Sequence, residues 1–120
     1  MSSQSLSKAR IIREPAELTR ALRTGRVVTT ECFRAYYLAG EGPPGVAFLA
    51  GRRVGGAVQR NRAKRVLREA FRTCDQDLSG VRTLVFVATK LAPTASYSEL
   101  REHLWGTLRR IADRTGCNGK

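Results

Sequence analysis

The chain has 120 residues, enough for one domain with one modest core. Its 22 Lys and Arg stand against 10 Asp and Glu, a formal charge of +12, while 42% of residues are hydrophobic. This balance excludes a disordered tail and points to a polyanionic partner, nucleic acid first and an anionic membrane surface second. No apolar run approaches the roughly 18 residues of a membrane span. Met1 to Ser7 is polar, with no signal-peptide apolar stretch. A cytoplasmic protein with no membrane partner is expected. Cys32, Cys74 and Cys117 are far apart and odd in number, and His103 is the lone histidine. Free thiols are expected, rather than a disulfide framework or a zinc knuckle.

In chain order, residues 1–13 read as a basic arm carrying Lys8, Arg10 and Arg13. A single domain is expected over 14–113, with a tail over 114–120. Pro15 suits the first turn of a helix whose face holds Leu18, Ala21 and Leu22, and Gly25 can end it. Val27 to Leu38 is rich in β-branched and aromatic residues and reads as a strand, strongest from Phe33. Alternation puts Arg34 and Tyr36 on one face, Phe33 and Tyr37 on the other. Gly40 to Gly45 has the glycines and prolines of a turn, so Val46 to Ala50 is expected to complete a hairpin. From Ala57 to Arg72 the period is helical, with Ala63, Val66, Leu67, Ala70 and Phe71 on one arc. Asp75 to Gly80 reads as a loop. Leu84 to Thr89 reads as a buried central strand. Ser96 with Glu99 makes a capping box. The closing helix then buries Tyr97, Leu100, Leu104, Leu108 and Ile111 and frays after Asp113. The order is helix, strand, strand, helix, strand, helix, with a further short strand near Val27. That makes one sheet covered by helices.

The informative stretch is Gly51 to Arg72. It holds Arg52, Arg53, Arg60, Arg62, Lys64, Arg65, Arg68 and Arg72, against one acid, Glu69. Arg60, Lys64 and Arg68 form an i, i+4 stripe, with Asn61, Arg65 and Arg72 beside it. Like charges at that spacing weaken an isolated helix by a few tenths of a kcal/mol per pair. A bound polyanion offsets that cost, and arginine adds a planar fork for phosphate. A solvated helix face usually mixes signs, and this one hardly does. Gly51, Gly55 and Gly56 can let a phosphate approach the helix start. Neither a Walker pattern nor a G-x-G-x-x-G is present, so a nucleotide-binding loop is not expected.

Arg60-Asn61-Arg62, extended through Lys64-Arg65 to Arg68-Glu69-Ala70-Phe71, resembles the signature of the bacterial ribonuclease P protein family. Arg53-Val54-Gly55 and Ala57-Val58 match the approach to it. Leu18 to Gly25, Phe33 to Leu38, Val85 to Lys90 and Ser96 to Leu108 are similar to the family's flanking elements. The resemblance covers roughly residues 8–112. It implies an α/β (α+β) two-layer sandwich: a small mixed sheet with three helices, ribosomal-protein-like, with a left-handed β-α-β crossover. Sequence alone favours the right-handed form. The resemblance also implies that Arg52, Arg53, Arg60, Asn61, Arg62, Lys64, Arg65 and Arg68 face a catalytic RNA. A cleft of Leu18, Leu22, Arg34, Tyr36 and Lys90 would hold the 5′ leader of precursor tRNA. Leu18 and Leu22 stand where the family often has aromatics, and Leu49 and Gly51 where it often has serines.

No catalytic constellation is visible in the protein. His103 lies among Glu102, Leu104 and Trp105 in the last helix, and Glu99 with Glu102 reads as a helix-start pair. The resemblance assigns the hydrolysis to the RNA subunit, with magnesium held mainly by RNA and Asn61 near such an ion. A structural RNA-binding protein of ribosomal type is the alternative. A DNA-binding module is not expected, because the basic helix lies between two strands. A protein-only nuclease would require acidic clusters.

Overall fold

The computed structural model describes residues 10–12, 14–40, 44–74, 78 and 80–115. Cys117, the polar start of the chain and most of the 75–80 loop lie outside them. Five strands form one mixed sheet among the described residues. They are β1 (Arg10–Ile11), β2 (Arg26–Thr29), β3 (Phe33–Ala39), β4 (Gly45–Ala50) and β5 (Val81–Ala88), in spatial order β1-β4-β5-β3-β2. Three helices cover it: α1 (Pro15–Thr24), α2 (Ala57–Arg72) and α3 (Tyr97–Thr115). β5 lies at the centre, antiparallel to β3 and parallel to β4. Its continuous apolar run can be buried only there, with a partner on each edge.

That placement corrects the expected hairpin of Phe33–Leu38 with Val46–Ala50. β5 lies between β3 and β4, and the chain reaches β5 from β4 by the α2 crossover. The Gly40–Gly45 turn chemistry fixes a reversal but not which strand lies alongside. The true hairpin is β2–β3, with register from Arg26↔Tyr37 to Thr29↔Arg34. Thr30 makes its turn: its Oγ1 accepts from the backbone N–H of Cys32 (3.2 Å) and of Phe33 (3.1 Å). The expected Val27–Leu38 strand is thus two strands. Arg10–Ile11, read as part of an arm, pairs in parallel with Gly45–Val46.

Alternation sorts the sheet into two faces. One carries Phe33, Ala35, Tyr37, Val46, Phe48, Leu84 and Phe86, all buried within one apolar core with α2 and α3. The chain's four phenylalanines meet there. The Phe48 and Phe86 rings stack at 5.4 Å, Phe33 meets Phe86 edge-on at 5.5 Å, and Phe71 of α2 lies 5.8 Å from both Phe48 and Phe86. Each such pair contributes about 0.5–1.5 kcal/mol beyond burial. α3 begins with the expected capping box: Glu99 N–H donates to Ser96 Oγ (3.1 Å), and Ser96 N–H to Glu99 Oε1 (3.2 Å). Leu100, Leu104, Leu108 and Ile111 are its buried stripe, but Tyr97 is 45% exposed. Tyr97 is the first helical residue, and burial begins only a turn later, at Leu100.

The opposite face carries Arg34, Tyr36, Leu38, Ala47, Leu49, Thr83, Val85 and Val87. Only α1 covers it. Glu17 Oε2 accepts from Thr83 Oγ1 at 3.2 Å, and Ala21 is wholly buried. Gly25 ends α1 as expected, because a Cβ there would lie 2.5 Å from the Ala21 carbonyl oxygen and 2.9 Å from that of Tyr37. The ten residues of α1 span only about 15 Å. The helix lies over the Leu38–Thr83 end and leaves the Arg34–Val87 end open.

Candidate RNA-binding site

The basic helix is oriented by what it buries. Ala63, Leu67, Ala70 and Phe71 of α2 are buried, and Val66 packs against the core. Helical geometry then turns the other arc outward. Asn61, Arg62, Arg65, Arg68 and Arg72 are exposed, and Arg60 and Lys64 are half-buried. The Arg68 guanidinium lies 5.9 Å from the centre of the Phe48 ring. Arg62 differs from its neighbours: its Nε donates to the Pro93 carbonyl (3.1 Å), in the 3₁₀ turn Ala92–Thr94. Arg62 therefore ties α2 to the segment leading into α3, as well as offering charge. No signal in the motif foretells that bond.

A second 3₁₀ turn, Arg52–Val54, leads into α2 and exposes Arg52 and Arg53 while burying Val54. Gly55 follows at φ 141°, and a Cβ there would lie 2.9 Å from Gln59 Cβ. Glycine alone suits that backbone. α2 has neither a capping side chain nor an acid in its first turn. Nothing lies within 4 Å of where a Cβ would stand on Gly51 or Gly56. The positive end of the helix dipole is thus uncovered beside Arg52 and Arg53, an arrangement that favours anions.

Of the expected cleft residues, Arg34 and Tyr36 lie on the open face of the sheet itself. Arg34 and Tyr36 share it, as alternation predicts, and Tyr36 is opposite Val27 on one side and Val85 on the other. Arg34 is exposed and Tyr36 half-buried. Leu18 is half-buried on α1, and Leu22 is 37% exposed. Lys90 is exposed just beyond β5. Sequence reasoning did not place Val27, Ala47 and Val87 here, although Val27 is exposed and Ala47 and Val87 are partly exposed on the same face. Their parity alone would have shown it, had the strand order been known. Ala50 and Phe33 both pair with Ala88. The open end of the cleft and the start of the motif therefore lie at one end of the sheet.

Other candidate groups stay apart from this surface. His103 is half-buried and lines a groove between β2 and α3 with Glu99 and Glu102. Among the described residues no cluster of three His, Cys, Asp or Glu side chains can hold a metal ion. Cys32 and Cys74 are buried and in no disulfide, and the Cys74 thiol donates to the Ala70 carbonyl at 3.6 Å. Burial pushes the Cys74 thiol up to about 12, with Arg101 pulling the other way. Burial, then Glu99 and Glu31, also raises that of Cys32.

A mixed sheet under three helices, with an arginine-rich crossover helix turned outward, defines a small α+β RNA-binding protein. The family model described as Ribonuclease P matches residues 6–112, and the chain belongs to that family. It is 31% identical to the ribonuclease P protein component of Halalkalibacterium halodurans, over 88% of this chain and 90% of the relative. It is 37% identical to that of a Nocardioides species, over 92% of this chain and 99% of the relative. The fold is similar to that of the RNase P protein from Thermotoga maritima, with a TM-score of 0.71 and 24% identity, covering 85% of this chain and 97% of that one. The Staphylococcus aureus RNase P protein superposes with a TM-score of 0.69 at 22% identity, covering 88% and 96%. No helix among the described residues is long and apolar enough to cross a membrane.

Proposed function

We propose that this ribonuclease P protein uses two RNA-facing surfaces at one end of its sheet. The outer arc of α2, with Arg52, Arg53, Arg60, Asn61, Arg62, Lys64, Arg65 and Arg68, docks on the catalytic RNA. The half-covered sheet face, with Leu18, Leu22, Arg34, Tyr36 and Lys90, holds the single-stranded leader of precursor tRNA. The observation that carries this reading is the row Ala50–Ala88–Phe33, which brings the start of the motif beside the open end of the cleft. An RNA docked on α2 then lies next to a strand entering the cleft. A single strand favours an aromatic platform flanked by cations, which Tyr36 with Arg34 and Lys90 supplies.

On this reading the RNA subunit performs the phosphodiester hydrolysis, and the protein works beside it in the cytoplasm. Magnesium, on this reading, is held mainly by the RNA. The exposed Asn61 amide is placed near such an ion. The protein's part is to screen phosphate repulsion between two RNAs.

The test is the affinity of the assembled complex for precursor and mature tRNA at fixed salt and magnesium. Tyr36→Ala and Lys90→Ala are expected to weaken precursor binding, Tyr36→Ala by about 1–3 kcal/mol per stacked base. Mature tRNA and assembly are expected to be nearly unaffected. An equal loss for both tRNAs, or no loss for either, contradicts the leader assignment.

A further inference from the structure

Positive charge also gathers away from the motif. β2 is one edge of the sheet, and a groove separates it from α3. At the motif end of this groove stand Glu31, Glu99 and Glu102. Toward the other end the sign reverses. Arg26 is opposite Tyr37 in the β2–β3 register, and the Tyr37 hydroxyl accepts from Arg114 Nη1 at 3.3 Å. Arg110, one helical turn before Arg114, lines the groove.

Arg82 stands at the same end of the sheet, held there by a local device. Leu38 pairs with Thr83 but Ala39 pairs with Val81, so Arg82 falls at a slip in register, without a β3 partner. Such bulges re-aim side chains. Gly40 makes the room, since a Cβ there would lie 2.7 Å from Arg82 Cβ.

Arg26, Arg82, Arg110 and Arg114 are all exposed. The α3 dipole favours cations near its end and accounts for Arg110 and Arg114. It gives no reason for two arginines on strands. Asp113 is the only acid in the last two turns of α3. A second copy of a chain with charge +12 is repelled from such a patch. A phosphodiester backbone is the complementary occupant, and the arginine fork suits it.

We propose that Arg26, Arg82, Arg110 and Arg114 form a second RNA-phosphate contact, at the end of the sheet away from the motif. The inference rests on the chain acting as an RNA-binding ribonuclease P subunit. Ser96 opens α3 near Pro93, where Arg62 is bonded, and the helix carries the chain about 27 Å from there to Arg114. Phosphates held at this patch are therefore distinct from those met by the start of α2. Two contacts so far apart fix the orientation of the protein on RNA, which one cannot.

The test uses the triple variant Arg26→Gln/Arg82→Gln/Arg110→Gln and its all-lysine counterpart, keeping Arg114 because it bonds Tyr37. Salt dependence is measured for assembly with the catalytic RNA, and for binding of precursor and mature tRNA by the assembled complex. For one of these RNAs the log–log slope is expected to fall by about 2–3, and affinity about tenfold or more at moderate salt. The lysine variant is expected to keep most of both. Loss in assembly identifies the catalytic RNA as the source. Equal loss for precursor and mature tRNA identifies the tRNA body. Unchanged slopes in a glutamine variant as stable as the parent overturn the proposal. If the triple variant fails to fold, Arg26→Gln and Arg82→Gln are measured singly, with a slope change of about 1 expected from each. No change in either also overturns it. Should Arg60→Ala and Arg65→Ala weaken RNA binding while these variants do not, this contact alone fails. A parent protein that binds neither RNA defeats both readings.

Discussion

Gly55 and Cys74 show what single residues contribute. Gly55 stands at a φ that strains any side chain, one turn before the motif begins. Gly55→Ala is expected to destabilise the protein by about 1–3 kcal/mol. It should also weaken RNA binding, because the relief of strain moves Arg52 and Arg53. Urea unfolding and RNA titration read the two effects separately. The Cys74 thiol is pushed from 9.0 to about 12 in the folded protein. Its contribution to stability is fully present below pH 9. It declines from there toward pH 12, because the unfolded chain ionises its thiol first. The urea midpoint of the parent should therefore fall more steeply than that of Cys74→Ala above about pH 9. Parallel curves contradict the shift. The sequence showed Cys74 only as a cysteine outside any disulfide framework, since its burial depends on how α2 ends against the core.

Among the elements, α2 was the most legible, because its apolar and basic arcs obey one period and must face opposite ways. Ala63, Leu67, Ala70 and Phe71 are buried as that period requires. The β3–β4 pairing was not legible. Turn residues act locally, whereas strand order depends on which segment most needs the centre, and the β5 run does. Arg62 shows a similar limit, since its partner Pro93 lies 31 residues away. Two consequences follow for α2. Phe71→Ala removes a fully buried ring and should cost about 3–5 kcal/mol of stability, read by urea unfolding. Arg60→Ala, Arg65→Ala and Arg68→Ala should leave stability close to the parent's. Each should weaken assembly with the catalytic RNA by about 1–3 kcal/mol, equally for precursors with long and short leaders. Normal assembly of all three would mean that α2 is not the docking face.

At the scale of the whole molecule, function follows from covering the sheet unequally. One face holds two helices and the phenylalanine cluster and supplies the stability. The other is half covered by the short α1, so Arg34 is exposed and Tyr36 only half-buried beside the motif. The common face of Arg34 and Tyr36 was legible in the sequence from strand parity, and no more of that face was. Its uncovered end required the length and position of α1. Charge is partitioned too, with carboxylates at one end of the β2 groove and arginines at the other.

The proposed role as a cofactor for an RNA enzyme is tested most directly by precursor-tRNA cleavage across a magnesium series. The catalytic RNA of the same cell is assayed alone, the purified protein alone, and the two together. The expected result is no cleavage by the protein, and cleavage by the mixture at magnesium concentrations where the RNA alone is inactive. Site-specific cleavage by the protein without RNA, or a mixture no more active than RNA alone at every magnesium concentration, would contradict the account.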